Sequence, residues 1–133
     1  MTIQYSTTVR NARLDNFEAT VGASAVLKIR TGAVPANCSV ADSGTVLSTV
    51  NLPADWMAAA SNGSKALSGT WTDASADATG TAGHFRLYAS DGTTCHAQGT
   101  VGTAATDMIV DNTSFATGQT FTVTTFTMTA GNA

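Results

Sequence analysis

Over most of its length this chain alternates apolar and polar residues one by one, the period of a half-buried strand; only near its start does the spacing lengthen to that of a helix. Leu14, Phe17 and Val21 recur at three- and four-residue intervals, Thr7 or Thr8 can cap the first turn, and Gly22 can take the left-handed exit conformation. These features predict one amphipathic helix over residues 9–21. Its other side shows Arg10, Arg13, Asp15 and Glu18, so the element reads as a cover for a sheet face with its charges outward, and functionally as a docking arm.

From residue 24 the pattern is that of strands. AVLKIRTG (25–32) alternates Val26 and Lys28 with Leu27 and Ile29, and TVLSTVNLP (45–53) ends at a proline that cannot donate to a ladder. GAVPANCSVADSG between them is a turn-rich connection. DWMAAASNGSKALSGTW reads as two short strands, or a helical turn leading into one strand, with a reversal at Asn62-Gly63. TDASADATGTAG (72–83) is a small-residue loop, and DMIVD (107–111) a short strand before a turn at Gly118.

Two stretches carry more detail. In GHFRLYASDGTTCHAQGTVG a three-residue loop, Ser90-Asp91-Gly92, pairs Leu87 with Cys95 and Phe85 with Ala97, which makes one face apolar. A two-residue Asp91-Gly92 turn mixes apolar and polar partners instead, so the longer loop is preferred; it buries Cys95 and gathers His84, Arg86, Tyr88, His96 and Gln98 on the other, wet face. In FTVTTFTMT (121–129) the apolar residues sit on odd positions up to Val123 and on even positions from Phe126, a slip of phase that one extra residue, a β-bulge at Thr124-Thr125, produces. A long strand kinked in this way can turn a corner between two sheets. The expected fold is all-β, a β-sandwich or jelly-roll-like domain over residues 23–133, preceded by residues 1–22 as an N-terminal segment with one short α-helix.

Composition sharpens this. One domain of 133 residues buries roughly two thirds of its unfolded surface, enough for a real core. Charged residues make up 11% of the chain, where about 25% is usual, and the difference is taken up by Thr, Ser, Ala and Gly. Six Lys and Arg against nine Asp and Glu give a net charge of -3, with no cluster of cations for a nucleic acid or an anionic membrane surface. No apolar run is long enough to span a bilayer, and MTIQYSTTVRN has no secretory pattern, so residence in a cytoplasm is expected. Cys38 and Cys95 can pair in oxidising surroundings, but here they are read as free, buried thiols.

Candidate chemistry is sparse. Asp42-Ser43-Gly44-Thr45 matches the Asp-Ser/Thr-Gly of aspartic proteases, whose two carboxylates share a proton, and a dimer would supply the second. It follows a loop rather than an apolar strand, however, and the same residues make an ordinary turn, which is the preferred reading. Asp73, Ser75 and Asp77 alternate as in half a calcium loop, yet Ala78 stands in place of the turn glycine and His84 in place of the closing glutamate. His84 and His96 lack a third ligand for a metal. Trp56, Trp71 and Tyr88, with Asp55 and Asp73 nearby, would suit a sugar-binding face, but core packing accounts for the tryptophans equally well and is preferred. No enzymatic activity, cofactor or metal is expected.

The uncharged FTVTTFTMT would be an aggregation hazard as a free edge, so it is expected to lie inside a sheet or under a partner. TIQYSTTVRNARLD, LPADWMAAASNGSKALSGTW, GTAGHFRLY and FTMTAGNA together resemble small proteins from the structural gene regions of tailed bacteriophages and prophages, along the whole chain. That resemblance implies a virion protein made in the host bacterial cytoplasm. The expectation drawn from it is a capsid decoration, or cement, protein on the outer capsid surface, with the major capsid protein and copies of itself, as a trimer or dimer, for partners. Tyr5, Arg10 and Arg13 are the expected partner-binding residues, and removal of residues 1–22 is expected to abolish binding while leaving a folded β domain. A neck, tail or fibre-collar component is the alternative, and a carbohydrate-binding module for host attachment the alternative of another class.

Overall fold

The structure, a computed structural model, describes residues 3–131. Helix α1 covers Thr7–Val21 and is capped by Ser6, whose Oγ accepts from the Val9 N–H at 3.2 Å. The cap thus lies just ahead of Thr7 and Thr8, because any hydroxyl that precedes the first turn can serve. Gly22 closes the helix at φ 93°, its N–H bonded to Glu18 O. Leu14 and Val21 are buried, and Phe17 meets Trp56 edge-on at 5.8 Å.

The strands are β1 (Val26–Thr31), β2 (Val46–Asn51), β3 (Ser64–Ala66), β4 (Thr72–Asp73), β5 (Gly80–Tyr88), β6 (Cys95–Gly102), β7 (Met108–Val110), β8 (Ser114–Phe115) and β9 (Phe121–Thr129). They form one sheet in the order β2-β1-β5-β6-β7-β9-β3, with β4 on β9 and β8 on β5; every pairing is antiparallel except β6 with β7. The fold is all-β with a single N-terminal helix, and its layers are two halves of one curled sheet. Phe85 on β5 touches Phe126 on β9 at 5.6 Å, although three inter-strand steps would hold them about 14 Å apart in a flat sheet. Trp71 fills the space between, 6.0 Å from Trp56 and 5.6 Å from Phe126.

The curl is fastened where β4 meets β2. The N–H of Asp77 donates to Leu47 O, while Ser48 Oγ and Thr49 Oγ1 donate to the carboxylates of Asp73 and Asp77 at 2.6 and 2.8 Å. Because β4 also pairs with β9, the outer side of β2 is tied across to the far half of the sheet. Asp73 and Asp77, the carboxylates of the half calcium loop, are therefore the latches of this closure.

Strand β9 is interior. β7 lies along one side, and β3 and β4 along the other. Ile109 pairs with Thr125 and Val110 with Val123, which leaves Thr124 as the extra residue, its Oγ1 donating to Ile109 O at 3.0 Å. Phe121, Val123 and Phe126 consequently all reach the core despite their change of parity. A second irregularity skips Gly83 between the pairs Thr31↔Ala82 and Arg30↔His84; a Cβ there would sit 2.1 Å from Gly32 O, so only glycine lets the two backbones approach.

The β5–β6 hairpin departs from the expected register. Its loop is longer, residues 90–93, closed by the Ala89 N–H to Thr94 O bond and organised by Asp91, which accepts from the N–H groups of Thr93 and Thr94. Tyr88 pairs with Cys95, then Leu87 with Ala97 and Phe85 with Gly99, so His96 is bulged out. The apolar face survives through Leu87 and Phe85, but Cys95 lies on the opposite face and is only half-buried.

Candidate functional site

Two regions gather the polar side chains. In the first, α1 packs against the hairpin formed by residues 57–67, whose strand ends are bridged at Met57↔Leu67 and Ser61↔Ser64. Asn11, Asp15 and Glu18 lie one turn apart along the helix, and they accept from the backbone N–H groups of Gly63, Ala60 and Met57 at 2.8, 3.0 and 3.2 Å. Three side chains thereby replace the next strand of a ladder. Lys65, only 2% exposed, reaches the same carboxylates at 2.7 Å (Asp15) and 2.9 Å (Glu18) and also donates to Ala58 O. The hydrogen bond from Lys65, followed by that from Ala60 N–H, holds the Asp15 carboxyl below the usual range.

This overturns the expectation that the charges of α1 face outward. Asp15 and Glu18 bond the hairpin, and Arg10 also turns inward, its Nε donating to Ala130 O at 2.7 Å and its guanidinium lying over Gly63. Arg13 remains outside, stacked 5.1 Å over the Tyr5 ring. Of the three residues expected to bind a partner, Tyr5 and Arg13 are thus together on the exposed side of the helix, with the exposed Ile3 and Val9 on the same segment, whereas Arg10 anchors the helix.

The second region is the face of β1, β5 and β6 that the alternation leaves polar. The sequence reads it as wet; the structure buries it beneath the connection between β1 and β2. Arg30, His84 and Arg86 are all buried. Asp42 descends from the connection and accepts from Arg30 Nη2 at 3.1 Å, Arg86 Nη1 at 2.8 Å and Tyr88 Oη at 2.7 Å. Arg86 also reaches Asn37 O and Gln98 Oε1, Gln98 bonds Pro35 O, and His84 Nδ1 bonds Gly32 O. Cys38 on the connection meets Cys95 on β6, their sulfurs 2.6 Å apart. Lys28 sits at the border, bonded to Gly92 O and 5.1 Å over the Tyr88 ring.

The electrostatics follow from this packing. Desolvation pushes the Asp42 carboxyl up, but the Tyr88 hydroxyl, Arg86 and Arg30 together outweigh it and leave it below the ordinary range. A carboxylate so held is ionised near neutrality, and within this chain its partners are two guanidinium groups and a phenol. Residues 42–45 bend at Gly44, whose φ is 75°, and return to β2 through Thr31 N–H to Thr45 O and Thr45 N–H to Thr31 Oγ1, while Asp42 turns to the sheet and not to its own backbone as the turn reading expects. Tyr88 is pushed up to about 12, by burial first and then by its bond to Asp42.

The other candidates separate. Trp56, Trp71 and Tyr88 are fully buried, so none offers a ring face to a sugar. His84 is buried and His96 stands on the bulge, so the two do not share one wet face as the expected register predicts. Among the described residues no three His, Cys, Asp or Glu converge as a metal set, and no pocket opens. The buried basic face escapes the sequence reading, but it has a signal there: Arg30 and Arg86 alternate with core residues on two strands, and the connection between β1 and β2 brings a carboxylate, Asp42.

Each of the six Lys and Arg side chains is engaged within the fold: Arg10 by Ala130, Arg13 by Tyr5, Lys28 by Gly92, Arg30 and Arg86 by Asp42, and Lys65 by Asp15 and Glu18. Comparison with protein-family models, with curated proteins and with solved structures returns no match for this chain.

Proposed function

We propose that this protein is a structural component of a tailed-phage virion, a decoration protein that binds the outside of the major capsid shell and holds neighbouring subunits together. The bonding of five of the six cations to carbonyl or carboxylate oxygens of the fold, which leaves Arg13 alone on the outer side, carries this reading. What remains outside is a hydroxyl-rich skin with few free charges, which lets many copies pack side by side without the like-charge repulsion that a densely charged body would meet in a repeating shell. The resemblance read from its segments to proteins of phage structural regions is the sequence ground on which the proposal stands. Binding at sites repeated by capsid symmetry adds interface area that resists disassembly by mass action.

The contact surface we assign is the outer side of the N-terminal segment, where Ile3 is 71% exposed and Val9 and the stacked Tyr5–Arg13 pair lie nearby. Reconstruction of the intact particle tests the assignment. A copy number that scales with the capsid lattice is expected; one ring of copies at the neck or along the tail would replace this reading with that of a connector or tail protein. Particles stripped of the protein should rebind the purified chain and should bind a Val9→Glu, Arg13→Glu double variant at least tenfold more weakly.

A further inference from the structure

Cys38 lies in the connection between β1 and β2, Cys95 opens β6 opposite Tyr88, and the two sulfurs meet at 2.6 Å across 57 positions of sequence. Both residues are half-buried. The connection they join has no strand or helix of its own among residues 33–44. Hydrogen bonds from Arg86 to Asn37, from Gln98 to Pro35 and from the basic face to Asp42 seat it, and all of these are polar. Opposite Cys95, Tyr88 is tied to Asp42, so the pairing of the strands and the seating of the connection bring the thiols together before any bond forms between them.

We propose that Cys38 and Cys95 form an intramolecular disulfide that latches residues 33–44 over Arg30, Arg86 and Tyr88 when the protein meets an oxidising environment. With a small-molecule disulfide such as oxidised glutathione as oxidant, the thiolate of one cysteine attacks a glutathione sulfur. This gives a mixed disulfide and releases one glutathione thiolate. The second cysteine sulfur then displaces the remaining glutathione. Two protein thiols are oxidised, two electrons pass to the small disulfide, and two molecules of glutathione thiol leave with the two protons. A reducing thiol pool drives the same exchange backwards, so the latch opens in reducing surroundings and closes in oxidising ones.

Burial, with the neighbouring Cys38 second, pushes the Cys95 thiol up to about 12, which keeps it protonated near neutrality. Attack by the Cys95 sulfur therefore quickens as pH rises. The inference stands on the two sulfurs and the connection they join, and it is independent of the role proposed in a virion.

The test uses the full chain purified with reductant and then equilibrated with oxidised glutathione. Titratable thiols should fall from two per chain to none, the intact mass should drop by two hydrogens with no adduct, and Tm should rise by on the order of 10 °C. Protease cleavage within residues 33–44 should slow in parallel. Cys38→Ser and Cys95→Ser should each resemble the reduced wild type and show no rise in Tm on oxidation. Should either variant fail to fold, comparison of reduced with oxidised wild type decides the matter alone. Two thiols per folded chain at equilibrium, glutathione retained on either cysteine, or cross-links between chains would each overturn the proposal.

Discussion

Asp42 shows how one side chain can organise a surface. Its two oxygens collect two buried guanidinium groups and a buried phenol, and removing it leaves those donors beneath the connection without their acceptor. Since the carboxylate itself is 40% exposed, part of its attraction is screened, and Asp42→Ala should lower stability by about 2–3 kcal/mol in denaturant unfolding rather than by the full cost of breaking a buried pair. The pH dependence has a definite sign. A carboxyl held low in the folded state contributes stability that is present above its ordinary value near 4 and lost as pH falls through the folded value. Tyr88, raised to about 12, contributes stability that is present below its ordinary value near 10 and lost as pH climbs through 12. The tyrosinate absorbance missing from a Tyr88→Phe variant should therefore be the part that appears only near pH 12, together with loss of the folded signal. The sequence shows Asp42-Ser43-Gly44-Thr45 as a turn, yet it hides the partners of Asp42. Alternation along β1 and β5 says that Arg30 and Arg86 share a face; it does not say that a loop covers that face.

Elements are held as much by polar side chains as by apolar ones. Leu14, Phe17, Val21 and the exit at Gly22 made α1 legible, and the FTVTT phase slip made the bulge in β9 legible, because both are patterns of neighbours along the chain. The inward course of Asn11, Asp15 and Glu18 was not, since these residues look the same on a solvent face. Only Lys65, a cation alone in a hairpin of small and apolar residues, hinted at waiting carboxylates. Loss of residues 1–22 removes core side chains and uncovers the N–H groups of Met57, Ala60 and Gly63, so such a truncation should aggregate instead of leaving the folded β domain that the sequence suggests. Thr124→Ala forfeits one exposed hydrogen bond and should cost less than about 1 kcal/mol. Deletion of Thr124 removes the bulge and leaves Val123 and Phe126 two positions apart, on one face by plain alternation, so the variant should keep a cooperative thermal transition, with Tm lowered only by the loss of the kink.

At the scale of the molecule, short alternating strands with Gly and Asp turns sufficed to indicate an all-β body behind one helix. The pairing order was out of reach, because β2 finds its outer neighbour through Asp73 and Asp77, beyond the next strand in sequence, and because the consecutive β6 and β7 pair in parallel, where a short connection predicts a hairpin. The hydroxyl coat acquires a use in this context: Thr49 and Ser48 bind those latches, Thr100 bonds Asp107 and Thr94 bonds Asp91, so acids that would otherwise repel one another are dispersed among hydroxyl and amide donors. The bond from Arg10 to Ala130 joins positions 120 residues apart. A ribosome completes α1 long before β9 emerges, and a helix of this length holds little order alone in water. The first element made is consequently among the last to be fixed, since Arg10 waits for the carbonyl of Ala130.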